Sequence, residues 1–388
     1  MLLTAKQEEG LKIAVKRYKN KEKYTAISGY AGTGKSTLIR FIIEALNLDP
    51  EFDVCYIAYT GKAAQVLKSK GCPNAMTAHR LLYKSVQQDD GTFKHFPKRP
   101  IFPFKLIVVD EISMLPKRMW ELLLSHNIHV IALGDPGQLP PVMAEDNEVL
   151  KNPHIFLDEV MRQAAESEII RLTMNIRDGK PLELFSGKEV KIVNREELLQ
   201  TGFLAWGDQI ICGKNDTRNK INGIMHQAIM KTDNNEPLVG DRIICLHNEW
   251  ECINLTGDAL VNGLSGNITD LKYNNTNPFM DKTPIIDFKP DIEDSDIFRG
   301  LEVDYRMFTE HIPTVTNENF KSIPKFYHPK QFDYGYAITC HKAQGSEYDK
   351  VIVLEEYLRS ESKEGHKKWL YTAATRASKK LIIVKNYY

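Results

Sequence analysis

Apolar residues in this chain fall into short blocks with two alternating periods. Continuous runs at Tyr24–Ser28 (YTAIS), Val54–Tyr59 (VCYIAY), Lys105–Val109 (KLIVV) and His129–Leu133 (HVIAL) have the length and β-branching of buried strands. Between them the apolar positions recur at helical spacing. Leu11, Ile13, Ala14 and Val15 mark an opening helix over residues 1–20, and Leu38, Phe41, Ile42 and Leu46 mark another. Shorter helices are predicted up to Ser69 and over Thr77–Leu82. Strands that alternate with helices predict an α/β domain with a mostly parallel sheet. The pattern weakens between Lys84 and Pro103. There Asp89-Asp90-Gly91-Thr92 is a turn signal between β-compatible residues, which predicts a hairpin.

Past Pro141 the texture changes twice. Ser167–Gly179 reads as a helix closed by Gly179, Gln209–Cys212 as a strand, and Thr217 to about Lys231 as a helix. From Pro237 to Pro329, β-type runs (Arg242–Leu246, Gly266–Leu271, Ile285–Phe288) lie between Asn, Asp, Gly and Pro clusters. That predicts a small β-domain. It is inserted, because Tyr334–Cys340, Val351–Leu354 and Leu381–Val384 return to α/β strand texture. The expected organisation is a first domain at 1–150 with a hairpin insertion at about 84–103. A second domain is built from 151–236 and 330–388, with the β-domain at 237–329 inserted in it.

Composition narrows this little. The 388 residues carry 51 Lys+Arg against 51 Asp+Glu, so a nucleic-acid groove would have to be a local patch. No apolar run approaches the roughly 18 residues that argue for a membrane helix. The opening MLLTAKQEEG has no apolar signal core, so no membrane association and a cytoplasmic location are expected. The six cysteines are scattered without a C-x-x-C pair, which predicts free thiols in a reducing compartment.

The sharpest chemical signal is Gly29-Tyr30-Ala31-Gly32-Thr33-Gly34-Lys35-Ser36, followed by Thr37. It fits G-x-x-x-x-G-K-[ST] and stands between a predicted strand and a predicted helix, as a phosphate-cradling P-loop must. Gly32, Thr33, Gly34 and their neighbours would turn backbone N–H groups and a helix N-terminus towards a polyphosphate. Lys35 would reach the β- and γ-phosphates, and the Ser36 hydroxyl would hold Mg²⁺. ATP and Mg²⁺ are therefore the expected cofactors. Asp110-Glu111 ends an apolar strand in the Walker B manner. Asp110 would bind the metal through water, and Glu111 would polarise the attacking water. Gln138, in Gly134-Asp135-Pro136-Gly137-Gln138, is either a loop amide on the γ-phosphate or a solvated turn residue. Arg162 and Arg376 are either sources of positive charge for that phosphate or surface ion-pair partners.

The ordered set GYAGTGKST, AYTGKAAQVL, TAHRLL, VVDEISM, LGDPGQLPPV, EVMRQ, AITCHKAQGSEYD and YTAATRA resembles the superfamily 1 DNA helicases, in their RecD/Dda-like branch. The motifs run from near the N-terminus nearly to the end. The resemblance implies an α/β fold of two RecA-like P-loop domains with parallel sheets, a hairpin insertion in the first and an SH3-like β-domain in the second. It implies ATP in the cleft between the two, adenine read by Gln7, Arg162 and Arg376 as trans-domain arginine fingers, and Glu347 at the ribose. Thr60, Lys62, His79, Thr339, His341 and Lys342 fall in motifs that line a single-strand track, and Phe93 is a candidate at the duplex junction. For base stacking the sequence does not choose among Tyr59, Phe93 and Trp250.

The function so implied is an ATP-dependent DNA helicase that moves 5′→3′ on single-stranded DNA. Its partners would be single strands and single-strand/duplex junctions, with replication or recombination proteins as possible further partners, and it would act as a monomer. The alternatives are a DNA-stimulated ATPase that remodels protein–DNA complexes without unwinding, and a binding module with a relic P-loop.

Overall fold

The computed structural model describes residues 3–387 apart from 88–92, 99–103, 141–144, 146, 162–165, 199–202, 276, 293–294, 317–318, 320–321, 325–326 and 358–361. The strands described form two six-stranded sheets, one five-stranded sheet and two hairpins.

The first lobe opens with the helix Ala5–Lys19, started by a capping box between Thr4 and Gln7. Its strands are β1 (Tyr24–Gly29), β2 (Val54–Ala58), β3 (Ala75–Thr77), β4 (Tyr83–Gln87), β5 (Phe93–Pro97), β6 (Leu106–Val109), β7 (His129–Gly134) and β8 (Ile155–Leu157). The sheet order is β3-β2-β6-β7-β1-β8, and every pairing is parallel. Strands β6 and β7 are buried throughout, which is why they read as unbroken apolar runs. With β6, β7 and β1 side by side, the three loops at their carboxyl ends are neighbours too. In an open parallel sheet that edge is where ligands bind.

Strands β4 and β5 form the expected antiparallel hairpin, from Tyr83↔Pro97 to Gln87↔Phe93. Its turn at Asp90-Gly91 and the Phe93 side chain lie outside the described residues.

The second lobe contributes the helix Glu168–Arg177, β9 (Phe185–Ser186), β10 (Val190–Asn194), β11 (Gln209–Cys212) and the helix Asn215–Met230. The five-stranded sheet is next along the chain. It is built from β12 (Arg242–Cys245), β15 (Ser265–Asn274), β16 (Thr283–Pro290), β17 (Phe298–Glu302) and β18 (Phe332–Tyr334), with a hairpin of β13 (Glu249–Ile253) and β14 (Ala259–Leu260). All its pairings are antiparallel, around a core that includes Phe288, Phe298, Phe332 and Tyr334. Strands β19 (Ala337–Thr339), β20 (Tyr348–Leu354) and β21 (Ala377–Lys385) then join β10 and β11 in the order β19-β11-β20-β21-β10-β9, parallel except for the β9 edge.

The single strand expected over Tyr334–Cys340 is two. The chain leaves the antiparallel sheet after Tyr334 and enters the parallel one at Ala337. Gly335 sits at the crossing, where a Cβ would lie 2.9 Å from the Ile243 carbonyl carbon. Hydrophobic spacing does not register a change of sheet within one apolar run. Strands β8 and β10 also escape the periodicity reading; β8 is only three residues long.

The six cysteines are free, as expected, and burial pushes the thiols of Cys55, Cys212 and Cys245 up to about 12. Among the described residues no helix is long and apolar enough to cross a membrane.

Candidate active site at the seam of the two lobes

The loop after β1 turns through Gly32 and Gly34, whose φ values of +77° and +76° lie in the left-handed region that strains other residues. A Cβ at Gly34 would also meet the Gln7 amide nitrogen at 2.4 Å. The helix Lys35–Ala45 starts directly at the lysine. Lys35 Nζ donates to the Gly29 carbonyl at 2.5 Å and to the Tyr30 carbonyl at 3.1 Å. Burial lowers its pKa, against the opposing pull of Asp135, Asp110 and Glu111. Thr33 is buried, with its hydroxyl on the Tyr30 carbonyl; Ser36 is exposed and Thr37 half-buried.

Gln7 is 1% exposed. Its amide oxygen accepts from Thr4 N at 3.0 Å, and its amide nitrogen donates to Thr33 O at 3.2 Å and Gly34 O at 3.4 Å. Both ends of the side chain are thus engaged within the protein, bracing the P-loop. Met161 N donates to Gly32 O at 3.0 Å, which brings the start of the next motif onto the same loop. Arg162 lies outside the described residues.

Asp110 and Glu111 follow β6, and Glu111 adopts the left-handed conformation, with φ 50°. Its N–H donates to Asp110 Oδ1 at 3.0 Å. Burial raises both carboxyl pKa values, while Lys35 draws Asp110 down and Arg376 draws Glu111 down. Arg376 comes from the second lobe and is 6% exposed. It donates to Glu111 Oε1 at 3.4 Å, Ser346 O at 3.3 Å and Thr372 O at 3.1 Å. Gly345 closes the same seam: a Cβ there would lie 2.8 Å from Ala63 Cβ and 3.3 Å from Glu111 Oε2. Glu111 Oε2 and Gln138 Oε1 are buried acceptors with no hydrogen-bond partner among the described residues.

The loop after β7 is held from both lobes. Asp135 Oδ1 accepts from Gly137 N at 2.9 Å, and Gln138 N donates to Asp135 O at 3.2 Å. From the second lobe, Tyr371 donates to Asp135 Oδ2 at 2.7 Å, Thr372 accepts from Leu139 N at 3.0 Å, and Gln344 donates to Leu139 O at 3.1 Å. Asp135 and Tyr371 went unassigned in the sequence reading, although both stand inside quoted motifs. A polar aromatic buried in the apolar stretch before Arg376 was the available signal.

The residues expected along the strand track are more dispersed. Thr60 caps the helix Gly61–Ser69 through Ala63 N at 3.2 Å. Lys62 donates to the Tyr348 hydroxyl at 3.0 Å and lies 4.7 Å from the centre of that ring, so it bridges the lobes. His79 is exposed between Tyr59 and Tyr83, with ring centroids 5.7 and 6.0 Å away. Thr339 precedes the short helix Cys340–Ala343. Burial lowers the pKa values of His341 and Lys342, and Lys342 reaches Asn262 Oδ1 at 3.5 Å. Glu347 pairs with Lys70 at 3.1 Å, with both side chains more than half exposed. The Trp250 side chain lies outside the described residues.

A glycine loop with its half-buried lysine, facing a strand-end acid pair that an arginine from another lobe touches, defines a P-loop nucleoside triphosphatase with its site at a seam. Comparison with known proteins agrees. Residues 3–202 match the family model described as an AAA domain, and residues 334–384 match that of a UvrD-like helicase C-terminal domain. The ATP-dependent DNA helicase dda of Enterobacteria phage T4 is 25% identical over 305 residues, which span 71% of this chain and 69% of that protein. The ATP-dependent RecD2 DNA helicase of Deinococcus radiodurans is 35% identical over 161 residues, 40% of this chain and 22% of that one. A Pif1 helicase from Bacteroides, solved in complex with ADP-AlF3 and ssDNA, shares the fold at TM-score 0.57 and 19% identity, covering 100% of this chain and 93% of that one. The chain belongs to the AAA-domain family and, within it, to the Pif1-, RecD- and Dda-like branch of the superfamily 1 helicases. It is an ATP-dependent DNA helicase, a hydrolase.

Proposed function

We propose that this chain is a motor that travels 5′→3′ along single-stranded DNA and couples each ATP hydrolysed at the seam to a closing and opening of its two lobes. The observation that supports this best is the Arg376–Glu111 contact. A side chain of one lobe lies on the water-activating carboxylate of the other, so a change at the γ-phosphate is felt as a change in lobe position.

In this reading the P-loop amides and Lys35 bind the phosphates, which requires Lys35 Nζ to exchange the carbonyls of Gly29 and Tyr30 for phosphate oxygens. The exposed Ser36 hydroxyl and the strand-end Asp110 carboxylate are oxygen donors of the type Mg²⁺ prefers, and the bound ion would neutralise charge on the transferring phosphoryl group. Glu111 Oε2 and Gln138 Oε1, without partners among the described residues, can accept hydrogen bonds from the attacking water, and the Glu111 carboxylate can take its proton. Arg376, and Arg162 from the motif beside Gly32, would stabilise charge developing on the γ-phosphate. Thr60, Lys62, His79, Thr339, His341 and Lys342 would grip the strand on either side of the seam, with Phe93 of the hairpin at the junction and the five-stranded sheet region, SH3-like, over the strand. Backbone phosphate contacts with occasional stacking suit sequence-independent travel.

Duplexes with a 5′ or a 3′ single-stranded tail, assayed for strand separation and hydrolysis together, test the proposal. Unwinding of the 5′-tailed substrate is expected. Unwinding of only the 3′-tailed one reverses the polarity, and DNA-stimulated hydrolysis without strand separation makes the chain a translocase.

A further inference from the structure

We propose that Tyr371 is a positioning residue of the hydrolytic site: from the second lobe, its hydroxyl fixes the P-loop and the Asp135–Gln138 turn in one relative geometry. The proposal rests on the seam being the site of ATP hydrolysis, and it adds a contact made between protein groups of the two lobes.

Tyr371 lies in the helix Lys363–Ala374 and is 2% exposed. Its hydroxyl faces the first lobe and makes two hydrogen bonds there. It donates to Asp135 Oδ2 at 2.7 Å and accepts from Ala31 N, within the P-loop, at 3.1 Å. One oxygen atom from the second lobe therefore joins the loop after β1 to the loop after β7. The ring itself lies against Gly137, where a Cβ would be 3.0 Å from Tyr371 Cε1.

What Asp135 does with its other oxygen gives this contact its consequence. Asp135 Oδ1 caps Gly137 N at 2.9 Å and the Asp135 carbonyl accepts from Gln138 N at 3.2 Å, so the aspartate shapes the turn that presents Gln138. Gln138 carries one of the buried acceptors without a partner among the described residues. A shift in Asp135 is passed to that acceptor through these two hydrogen bonds. A buried bond from a hydroxyl to a carboxylate is among the stronger kinds, and networks of this sort rigidify what they join. Burial and the Asp135 charge both push the phenol pKa upward, so Tyr371 remains a donor across the working range.

A second contact grips the neighbouring P-loop residue. The Arg177 guanidinium, also from the second lobe, lies 4.1 Å from the centre of the Tyr30 ring. The Tyr30 ring and the Ala31 N–H are thus held from the second lobe while the lysine of the same loop faces the acids. Opening the lobes would release Ala31 and Asp135 in one motion. That makes loop geometry depend on closure, separately from the charge that Arg376 brings.

Tyr371→Phe removes one oxygen and keeps the ring against Gly137. With single-stranded DNA present, kcat for ATP hydrolysis should fall by about ten- to a hundredfold, the range expected for losing a bond to a charged group or for a small misplacement at a reacting centre. The affinity for a non-hydrolysable ATP analogue should stay at its parental value, while the thermal midpoint falls by a few degrees because Asp135 Oδ2 and Ala31 N lose a buried partner. Asp135→Asn should cost a similar factor, and the double variant should lose little more than either single one, because the two side chains act through one bond. If the parental protein shows no DNA-stimulated hydrolysis, the functional reading is wrong. If it does and Tyr371→Phe turns over at the parental kcat, the positioning role is overturned. A variant in which kcat and analogue affinity fall together would reduce Tyr371 to packing and overturn it equally.

Discussion

The Arg376 guanidinium reaches the Glu111 carboxylate at 3.4 Å across the seam, with the arginine almost wholly buried. Two charges held this way are poised for exchange: when a γ-phosphate is present, the guanidinium has a second anion to serve. Arg376→Ala should reduce DNA-stimulated hydrolysis by about a thousandfold or more, the usual worth of an arginine finger, while leaving nucleotide binding nearly intact. Arg376→Lys should recover little, since an ammonium lacks the planar fork. Steady-state hydrolysis beside nucleotide-binding titrations checks both; parental turnover in Arg376→Ala would remove the trans-lobe model.

The Lys35 ammonium is the only charge that the P-loop itself offers a polyphosphate. Lys35→Ala should abolish measurable turnover, and with it unwinding of any tailed duplex. Nucleotide binding by fluorescence or calorimetry should weaken in the same variant, which separates this defect from that of Arg376→Ala.

Burial raises the Asp110 pKa above its ordinary value of 3.8, so the folded protein holds this proton more tightly than the unfolded chain does. The sign follows from linkage: the proton's stabilising contribution is complete below the unfolded value and is lost as pH rises through the folded one. Asp110→Asn mimics the protonated form. It should therefore raise the thermal midpoint at neutral pH, with the gain shrinking as pH falls towards 4, while Mg²⁺-dependent hydrolysis disappears. Melting curves across that range check the prediction, and a midpoint lowered at pH 7 would contradict it.

Gly345 combines φ +73° with the approach to Ala63 and Glu111. Gly345→Ala is strained at its own backbone and props the lobes apart, which costs about 1–3 kcal/mol for the conformation alone. Hydrolysis should fall by about tenfold or more, because closure misses its geometry.

Lys62 separates two roles by experiment. If it leaves Tyr348 to meet a phosphate when DNA binds, Lys62→Ala should reduce the salt dependence of single-strand binding by about 0.7 in log–log slope. An unchanged slope with slower hydrolysis would assign it to the bridge between lobes.

Much of the site was legible because its signals are local. The P-loop announces itself as strand, glycines, lysine and helix within about twenty residues, and Asp110-Glu111 stands out because an apolar strand ends in two acids. Other residues carried a recognisable type but an unforeseen partner. Gln7, which the resemblance assigns to an adenine, also completes a capping box and braces Thr33 and Gly34. Lys62 bonds to Tyr348, and Glu347 to Lys70. The split of Tyr334–Cys340 between two sheets escaped notice because spacing along a strand carries no information about which neighbour it pairs with.

The sequence alone determined what depends on neighbours a few positions away: the alternation of strands and helices, the phosphate loop, the acid pair, the turn at Gly137. Such features arise from backbone sterics and periodicity within one or two turns of chain. Only the tertiary structure decided which distant groups meet. Arg376 reaches Glu111 from 265 positions away, and Tyr371 reaches Ala31 from 340. Those contacts exist because two separately wound sheets bury a common seam, and that packing is a property of the whole chain.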